Sequence, residues 1–306
     1  MVGVTTVGAF TGGAQVPDGC AAVVLRGGDH TRFGIRHVDR ADDDIGELTR
    51  AAADAARERA GEEREHSVLL LLCDGLTPDH LAMARGAYEA TSALVPLVGG
   101  AAGDDLHWRE TSTLGEGRVS GRGLVAVWVT SDRPLAVSVG HGWRTFGKPM
   151  LITRAEGAVI HELDGRPALE VYLSERGAAL KEDGRSFGEK CMERPIGIPN
   201  AMGGHDLRQV HEVTPEGGLV LTTAVPEQTV IQVMATDADA LLDGARQAAA
   251  DALAELDGPP QVAVVFSCCT RAPLLGDRIG EEVAAIAQTL GDVPAAGFYT
   301  CGDSAA

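Results

Sequence analysis

Apolar runs alternate along this chain with longer segments in which alanine and leucine recur at helical spacing. The clearest runs are Val68–Cys73 and Val262–Phe266. Helices are predicted before and after each run, over residues 43–60, 77–92, 237–256 and 278–290. Continuous apolar strands that alternate with amphipathic helices are typical of a sheet covered on its faces. The pattern therefore predicts an α/β fold.

An internal duplication underlies this pattern. Residues 35–75 align with residues 230–270 at a constant offset of 195 (230 minus 35), which places Cys73 on Cys268. Each copy contains a short strand, an alanine-rich helix and then a buried strand, and a strand-end glycine motif follows at Gly99 or Gly297. We expect internally duplicated βαβ-plus-hairpin units that form two packed sheet-and-helix halves.

A second repeat joins residues 19–26 to residues 123–130 and predicts a β-hairpin after each glycine motif. At the same offset His37 falls on His141. The glycine spacing of residues 3–8 also matches that of residues 297–302, so the chain opens where a βαβ unit closes. We therefore expect the first strand and helix and the last strand of the repeating scheme to be absent.

Length and composition favour two globular domains. The 306 residues are about twice the usual domain length of roughly 150 residues. With 44% hydrophobic and 23% charged residues, the chain is neither disordered, collagen-like nor a coiled coil. Asp164-Gly165 predicts a turn before Pro167, where a helix can begin. We expect one domain over 1–165 and another over 166–306.

Charge and apolar patterning exclude several partners. The formal net charge of -18 repels phosphate backbones and anionic membrane surfaces. The apolar runs are far shorter than the roughly 18 residues that cross a bilayer, and the first residues lack the basic and apolar regions of a signal peptide. These features predict a cytoplasmic protein with no nucleic acid partner and no membrane insertion.

The six cysteines show no CxxC pair and no spacing with histidine that is typical of zinc sites. Neither a metal nor a disulfide framework is indicated, and we expect no cofactor. A cysteine in a cytosolic chain is more often a small buried apolar residue than a reactive one.

Motifs spread over nearly the whole chain resemble the FIST family, in which a FIST-N and a FIST-C domain are paired. The motifs are Val98–Asp104, His141–Gly147, Thr153–Gly157, Glu162–Ala168, Phe266–Arg271 and Gly297–Thr300. The resemblance implies a sensory module of signal transduction that responds to small ligands, with amino acids suggested. The chain departs from the family at Gly8-Ala9 and Gly302-Asp303, where Gly-Glu is usual.

Two glycine motifs suggest chemistry that their surroundings do not support. A phosphate-binding loop at residues 99–103 would need a helix directly after it, but Asp104 and a predicted hairpin follow. A turn or a loop for a non-nucleotide ligand fits better. Residues 184–188 spell G-x-S-x-G, but a polar stretch precedes Ser186 instead of the buried strand of a nucleophile elbow.

Cys268 is the best candidate nucleophile, because it ends a buried strand and Arg271 follows. A thiolate nucleophile would need a histidine such as His141 within reach. Cys73 occupies the equivalent position without an arginine nearby, so a small apolar residue explains the site equally well. Packing, ligand contact and catalysis by Cys268 with His141 stay open.

The segment after residue 140 offers polar groups for an anionic ligand. Arg144 and His141 can bind a carboxylate together, although a structural histidine bonded to backbone is the alternative. Tyr299 and Thr300 lie at the carboxyl end of a parallel-type strand, where ligands of open α/β sheets bind. We expect the loops after Gly3, Gly99 and Gly297 to converge, because each closes an equivalent unit.

These features and the resemblance together predict a non-catalytic sensory module for a small polar metabolite, such as the amino acids that the resemblance suggests. Its signal passes to a separate signalling protein. The alternatives are a cysteine-dependent enzyme using Cys268 and a protein-interaction scaffold without a ligand. The candidate ligand-binding residues are Gly99, Gly100, Asp104, His141, Arg144, Gly147, Cys268, Arg271, Tyr299 and Thr300.

Overall fold

A computed structural model describes residues 1–16, 18–39, 44–77, 79–104, 107, 109–177, 184–200, 203–301 and 303–305. The strands are β1 Val2–Val4, β2 Ala9–Thr11, β3 Ala14–Val16, β4 Thr31–Asp39, β5 His66–Cys73, β6 Leu97–Ala101, β7 Thr113–Gly115, β8 Arg118–Ser120, β9 Gly123–Ser131, β10 Arg144–Glu156, β11 Val159–Leu163, β12 Arg166–Pro167, β13 Ile196–Pro199, β14 His205–Arg208, β15 Val210–Val213, β16 Leu219–Leu221, β17 Val230–Ala235, β18 Ala263–Cys268, β19 Ala295–Thr300 and β20 Asp303–Ala305. The helices are α1 Ile45–Ala60, α2 His80–Thr91, α3 Ala168–Glu175, α4 Phe187–Cys191, α5 Ala238–Ala254, α6 Arg271–Leu275 and α7 Ile279–Leu290, with a 3-10 turn at Gly276–Arg278.

The chain forms two compact units. The first unit contains residues 1–141 and 242–306, and the second contains residues 142–241. The first unit holds sheets of strand order β20-β6-β5-β9-β4, β18-β19-β2-β3 and β1-β7-β8. The second is built on one sheet of order β14-β13-β17-β10-β11-β16-β15, with β12 on β11.

The five-stranded sheet of the first unit is apolar on both faces. Leu69, Leu71 and Cys73 of β5 face a core that includes residues of α1 and α2. The alternate residues Leu70 and Leu72 face a second cluster, which includes apolar residues of β1, β18 and β19. Side chains alternate across a strand, so the uninterrupted apolar run of β5 is explained by burial on both faces.

Helix α1 is stabilised by a capping residue before its first turn and by a buried stripe of small side chains along its length. The Asp44 side chain accepts hydrogen bonds from the Gly46 and Glu47 amides at 2.9 and 3.2 Å, and Gly61 ends the helix. Its buried stripe consists mainly of alanines, which let the helix lie close to the sheet. These are Ala52, Ala53, Ala56 and Ala60, with Ile45 and Thr49.

The four-stranded sheet contains the second βαβ crossover of the first unit. β18 and β19 are parallel and in register, with Cys268 opposite Thr300. β2 pairs antiparallel with β19 and places Phe10 opposite Gly297. Ile286 and Leu290 of α7 pack with apolar residues of these strands. The carboxyl ends of β18 and β19 therefore lie side by side, directly before α6 and the last residues of the chain.

The second unit has its own core. Ile152, Ile160 and Ile231 are fully buried on its sheet, and Tyr172 of α3 packs in the same cluster. Ser186, the serine of the G-x-S-x-G letters, accepts a hydrogen bond from the Glu189 amide at 3.2 Å and caps α4. Its contact is that of a helix cap.

The α/β class is confirmed, and helices form in each segment where helices were predicted. The predicted first hairpin is wrong, since residues 20–27 form no strand and β4 pairs with β9 instead. Residues 134–143 likewise form no strand. The two copies of the predicted duplication also differ in the sheets to which their strands belong. β4 and β5 share a sheet, whereas β17 and β18 lie in different sheets. The duplication and the predicted domain boundary at residue 165 stay predictions.

Within the described part of the chain, no helix has both the length and the apolar character needed to cross a bilayer.

Helices α1 and α2 touch backbone to backbone at a pair of glycines, which gives a test of the packing. A Cβ on Gly86 would lie 2.0 Å from the Gly46 carbonyl oxygen, whereas one on Gly280 in α7 would meet nothing within 4 Å. Gly86→Ala should lower the free energy of unfolding by about 1–3 kcal/mol through overpacking. Gly280→Ala should leave it unchanged or raise it by up to about 1 kcal/mol. Urea unfolding of both variants checks this, and equal stabilities would contradict the close contact.

Candidate functional site

One threonine side chain joins the carboxyl ends of β6 and β19. The Thr300 hydroxyl accepts a hydrogen bond from the Ala101 amide at 2.7 Å and donates one to the Ala101 carbonyl at 3.0 Å. The Cys301 amide donates to the same carbonyl at 3.2 Å. Thr300 and Ala101 are both fully buried. The hydroxyl therefore satisfies two backbone groups that water does not reach.

Residues near the start of the chain also form hydrogen bonds with this region. The Thr6 hydroxyl donates to the Tyr299 carbonyl at 2.7 Å, and the Tyr299 amide donates to the Gly8 carbonyl at 2.8 Å. The Gly103 amide donates to the Thr5 carbonyl at 3.0 Å. The three loops thus converge, as the sequence predicted. We term this region the strand-end junction, and it comprises residues 5–8, 99–104 and 299–301.

The glycines of the junction are required by close packing. A Cβ on Gly100 would lie 2.7 Å from the Thr300 hydroxyl oxygen, and one on Gly103 would lie 2.7 Å from a neighbouring valine side chain. A Cβ on Gly99 would lie 1.9 Å from the Leu71 carbonyl oxygen. Because real Cβ atoms do not approach so closely, the glycine run lets β6 fit between its neighbours.

Asp104 organises the loop that leaves β6. Its Oδ2 accepts hydrogen bonds from the Arg109 and Glu110 amides at 2.5 and 3.0 Å. The side chain is partly exposed, so it places a negative charge at the surface of the junction. Residues 105, 106 and 108 of this loop lie outside the described residues.

Thiols of Cys268, Cys269 and Cys301 gather at the same place. Cys269 is buried, whereas Cys268 and Cys301 are partly exposed. The Cys268 Sγ lies 3.1 Å from the Thr270 hydroxyl oxygen. Hydrogen bonds to Cys268 and Cys301, together with burial, raise the pKa of the Cys269 thiol. A hydrogen bond from Cys269 lowers the pKa of Cys301, against the opposing effects of burial and of the Asp104 charge.

Arg271 is held in a buried ion pair behind these thiols. Its Nε donates to Glu282, and the two side chains are only 5% and 2% exposed. A further donor of Arg271 reaches the His141 carbonyl at 3.1 Å. The Ser267 hydroxyl donates to the Glu282 carboxylate at 3.2–3.3 Å. The guanidinium predicted to bind an anionic ligand therefore already faces a carboxylate of the protein.

Tyr299 lies in the interior rather than on the wall of a cleft. It is 3% exposed and packs edge-on against Phe10, with ring centroids 5.4 Å apart. Burial, and then the negative charge of Glu282, raise the pKa of Tyr299. The phenol therefore lies near the buried Glu282 carboxylate that pairs with Arg271.

Arg144 and Gly147 belong to the second unit. The Arg144 guanidinium donates twice to Asp237 Oδ2, each at 3.1 Å, and its side chain is 62% exposed. A hydrogen bond from the Ala240 amide, and then the one from Arg144, lower the pKa of Asp237. Gly147 has φ of +70° and accepts a hydrogen bond at its carbonyl from Gln232 at 2.8 Å. The arginine is exposed and is paired with a carboxylate.

The predicted site residues of the first unit fall into two groups according to their exposure. In the first unit, Asp104, His141 and Cys268 are partly exposed. The others of that unit are buried and hold the junction together, namely Gly99, Gly100, Arg271, Tyr299 and Thr300. Their assignment as ligand contacts stays a prediction.

Two buried acids were missed by the sequence reasoning. Glu282 follows the apolar spacing of α7, and a charge on the buried face of a helix was the available signal. Asp74 directly follows the apolar run of β5 and is 1% exposed. Its carboxylate accepts hydrogen bonds from the Leu76 amide at 2.9 Å and from the Thr111 hydroxyl. Among the described residues, no group of three or more potential ligands is arranged to hold a metal ion.

Comparison with known proteins gives the family. The chain matches the FIST N domain over residues 1–166 and the FIST C domain over residues 168–306. It belongs to the FIST family, whose domains are sensory domains of signal transduction.

Several curated proteins are similar to this chain, and three of them bear the name "uncharacterized protein". A Mycobacterium tuberculosis protein is 28% identical over 245 residues, which are 78% of this chain and 63% of the relative. A Mycobacterium bovis protein is 27% identical over 241 residues, 76% of this chain and 61% of the relative. A Methanocaldococcus jannaschii protein is 33% identical over 79 residues, 26% and 15% of the two chains. The chain spans about six tenths of the length of the mycobacterial relatives it matches.

The Thr300 hydroxyl gives a test of the junction. Thr300→Val keeps the shape but leaves the buried Ala101 amide and carbonyl without this partner, so the free energy of unfolding should fall by about 1–3 kcal/mol. Thr300→Ser keeps the hydroxyl and should recover most of that loss. Denaturant unfolding of the two variants measures the difference. A valine variant as stable as the serine variant would contradict the assigned role of the hydroxyl.

The Arg271–Glu282 pair gives a second test. Glu282→Gln leaves the Arg271 charge buried without its counter-ion and should cost about 3–5 kcal/mol. The neighbouring Glu281 pairs with Arg278 at 2.9 Å in an exposed position, so Glu281→Gln should cost no more than about 1 kcal/mol.

Replacing both buried charges, as Arg271→Met with Glu282→Leu, should restore much of the stability lost by Glu282→Gln. A buried ion pair is often no more stable than apolar side chains of similar volume. If Glu282→Gln and Glu281→Gln cost the same in denaturant unfolding, the pair is not buried as described.

Proposed function

We propose that this chain is a non-catalytic, ligand-binding sensory module that recognises a small polar metabolite such as an amino acid. The ligand contacts the surface of the strand-end junction in the first unit. A separate signalling protein reads the resulting change. The observation that carries this proposal is the convergence of three strand-end loops at residues 5–8, 99–104 and 299–301.

The position of the junction in the fold supports a binding role. β5 and β6 are parallel, as are β18 and β19, and the carboxyl ends of both pairs meet there. Ligands of open α/β sheets bind beyond the carboxyl ends of the strands, where neighbouring loops part. The partly exposed polar groups at this point include Asp104, Thr6 and the thiols of Cys268 and Cys301. The carboxylate can bind a charged group of a ligand, and the thiols can contact its less polar parts.

Charge favours a zwitterion over a polyanion. The formal net charge of -18 disfavours approach of a nucleotide, while an amino acid carries no net charge at neutral pH. The Asp104 carboxylate attracts an ammonium group. Arg271 is paired with Glu282, so a ligand carboxylate would be held by polar groups other than this guanidinium.

Signal transfer would follow from the construction of the junction. Two sheets of the first unit are tied together by the hydrogen bonds between Thr300 and Ala101. A ligand that binds one arrangement of these loops better than another shifts the population toward it. A partner that contacts these sheets or their loops then meets a changed surface.

A thermal-shift screen against the amino acids, small carboxylates and nucleotides tests the proposal. A ligand at 100 times its dissociation constant stabilises by about 2.7 kcal/mol, which corresponds to several degrees in Tm. We expect one or a few amino acids to raise Tm and nucleotides to leave it unchanged. Asp104→Asn should reduce the shift, because it removes the charge that attracts the ammonium group.

Two variants locate the site. Asp243→Asn removes an equally charged side chain, one that pairs with Arg246 on α5, and should leave the shift intact. Arg144→Ala tests the second unit, where the arginine pairs with Asp237. Loss of the shift in Arg144→Ala alone would move the site to the second unit. A sharp transition that no compound moves would favour a scaffold without a small ligand.

A further inference from the structure

The thiols of the strand-end junction form a group whose chemistry goes beyond contact with a ligand. Each of the six cysteines carries a reduced thiol in this structure. Cys268 and Cys269 are adjacent at the end of β18, and Cys301 follows the end of β19. Three of the six thiols thus lie within a few residues of the paired strand ends.

The strand register places two of these cysteines opposite each other. Cys268 pairs with Thr300 in the parallel ladder, so the next step sets Cys269 beside Cys301. The Cys269 amide donates to the Thr300 carbonyl at 2.8 Å, which extends the ladder to this step. Neighbouring strands lie about 4.8 Å apart. Disulfides form across Cα separations of about 4.4–6.8 Å.

Packing distinguishes the Cys269–Cys301 pair from the third thiol. Cys269 and Cys301 belong to one apolar cluster with Phe10 and Tyr299. Cys268 lies outside that cluster, with its sulfur 3.1 Å from the Thr270 hydroxyl oxygen. The packing thus groups Cys269 with Cys301 and leaves Cys268 outside that cluster.

Exposure and charge assign different roles to the two sulfurs. Cys301 is partly exposed and receives the hydrogen bond that lowers its pKa, so it has the greater thiolate character. Cys269 is only 4% exposed and keeps its proton as the donor. The Cys301 sulfur packs close beneath Gly103, at 3.1 Å from where a Cβ would lie, which favours a small oxidant.

We propose that Cys301 and Cys269 form a reversible thiol–disulfide pair that is oxidised by small hydroperoxides. Cys301 is the reacting thiol and Cys269 is the resolving thiol. This inference does not rest on the proposed function, since it needs no bound metabolite.

The chemistry balances with one equivalent of hydroperoxide. The Cys301 thiolate attacks the terminal peroxide oxygen, the O–O bond breaks, and an alcohol (water, for hydrogen peroxide) leaves after protonation. Cys301 is then a sulfenic acid. The Cys269 sulfur attacks the Cys301 sulfur, the S–O bond breaks, and hydroxide leaves as water with the Cys269 proton. A dithiol reductant reverses the oxidation by thiol–disulfide exchange.

The new bond would act on the junction directly. It would link the end of β18 to the residue that follows Thr300, whose hydroxyl ties β19 to β6. Oxidation would therefore fix the carboxyl ends of β18 and β19 to each other beside Asp104. The reduced state leaves these ends joined by hydrogen bonds and packing alone.

The experiment uses the fully reduced chain and stoichiometric hydrogen peroxide. After alkylation of the remaining thiols, digestion and mass spectrometry should show a disulfide between the Cys269 and Cys301 peptides. The intact mass should fall by two hydrogens and return on addition of a dithiol. Cys20 supplies an internal comparison, because its thiol is exposed and donates to the Ala21 carbonyl at 3.6 Å, outside the cluster of Cys269 and Cys301.

Matched variants separate the three thiols. Cys301→Ser should abolish the disulfide, and Cys269→Ser should stop the reaction at a sulfenic acid that a dimedone probe traps on Cys301. Cys268→Ser should leave the disulfide intact. The proposal is overturned by a Cys268–Cys269 disulfide, or by oxidation of Cys20 with Cys301 unmodified. Thermal unfolding confirms that each serine variant is folded, and an unreactive folded wild-type chain also overturns the proposal.

Discussion

The hydrogen bonds between Thr300 and Ala101 are the constraint on which the first unit depends. A single buried hydroxyl satisfies the amide and the carbonyl of one residue at the end of β6, and so joins two sheets that are otherwise separate ladders. The backbones must approach closely for this contact to form. This requirement explains why glycines, Gly100 and Gly103, occupy these two positions. The chain then runs from β19 into β20, which pairs with β6, so the covalent chain and the hydroxyl join the same sheets.

A buried ion pair also supports the first unit. Arg271 and Glu282 neutralise each other in the interior. The Ser267 hydroxyl also donates a hydrogen bond to Glu282, and the His141 carbonyl accepts one from Arg271. An isolated charge at that depth would be strongly unfavourable. The pair is therefore a structural support of the β18 end, and the arginine is held by the protein itself.

The surface of the junction combines an acid with thiols. Asp104, Cys268 and Cys301 are partly exposed where the loops meet, whereas the residues beneath them are buried. A small ligand and a small oxidant would thus act on the same few strand ends. Either would change how β18, β19 and β6 are held relative to each other, within a family of sensory signal-transduction domains.

The sequence alone determined the α/β class, the helices and the buried strands, because apolar periodicity reports burial directly. The glycine spacing also predicted that the strand-end loops meet. Only the tertiary structure decided that residues 20–27 form no strand, since pairing depends on which neighbour β4 finds. It also decided that Arg271 faces Glu282 and that Cys269 meets Cys301, as these partners are 11 and 32 residues apart (282 minus 271 and 301 minus 269). Such contacts depend on strand order and register, which one-dimensional patterns do not specify.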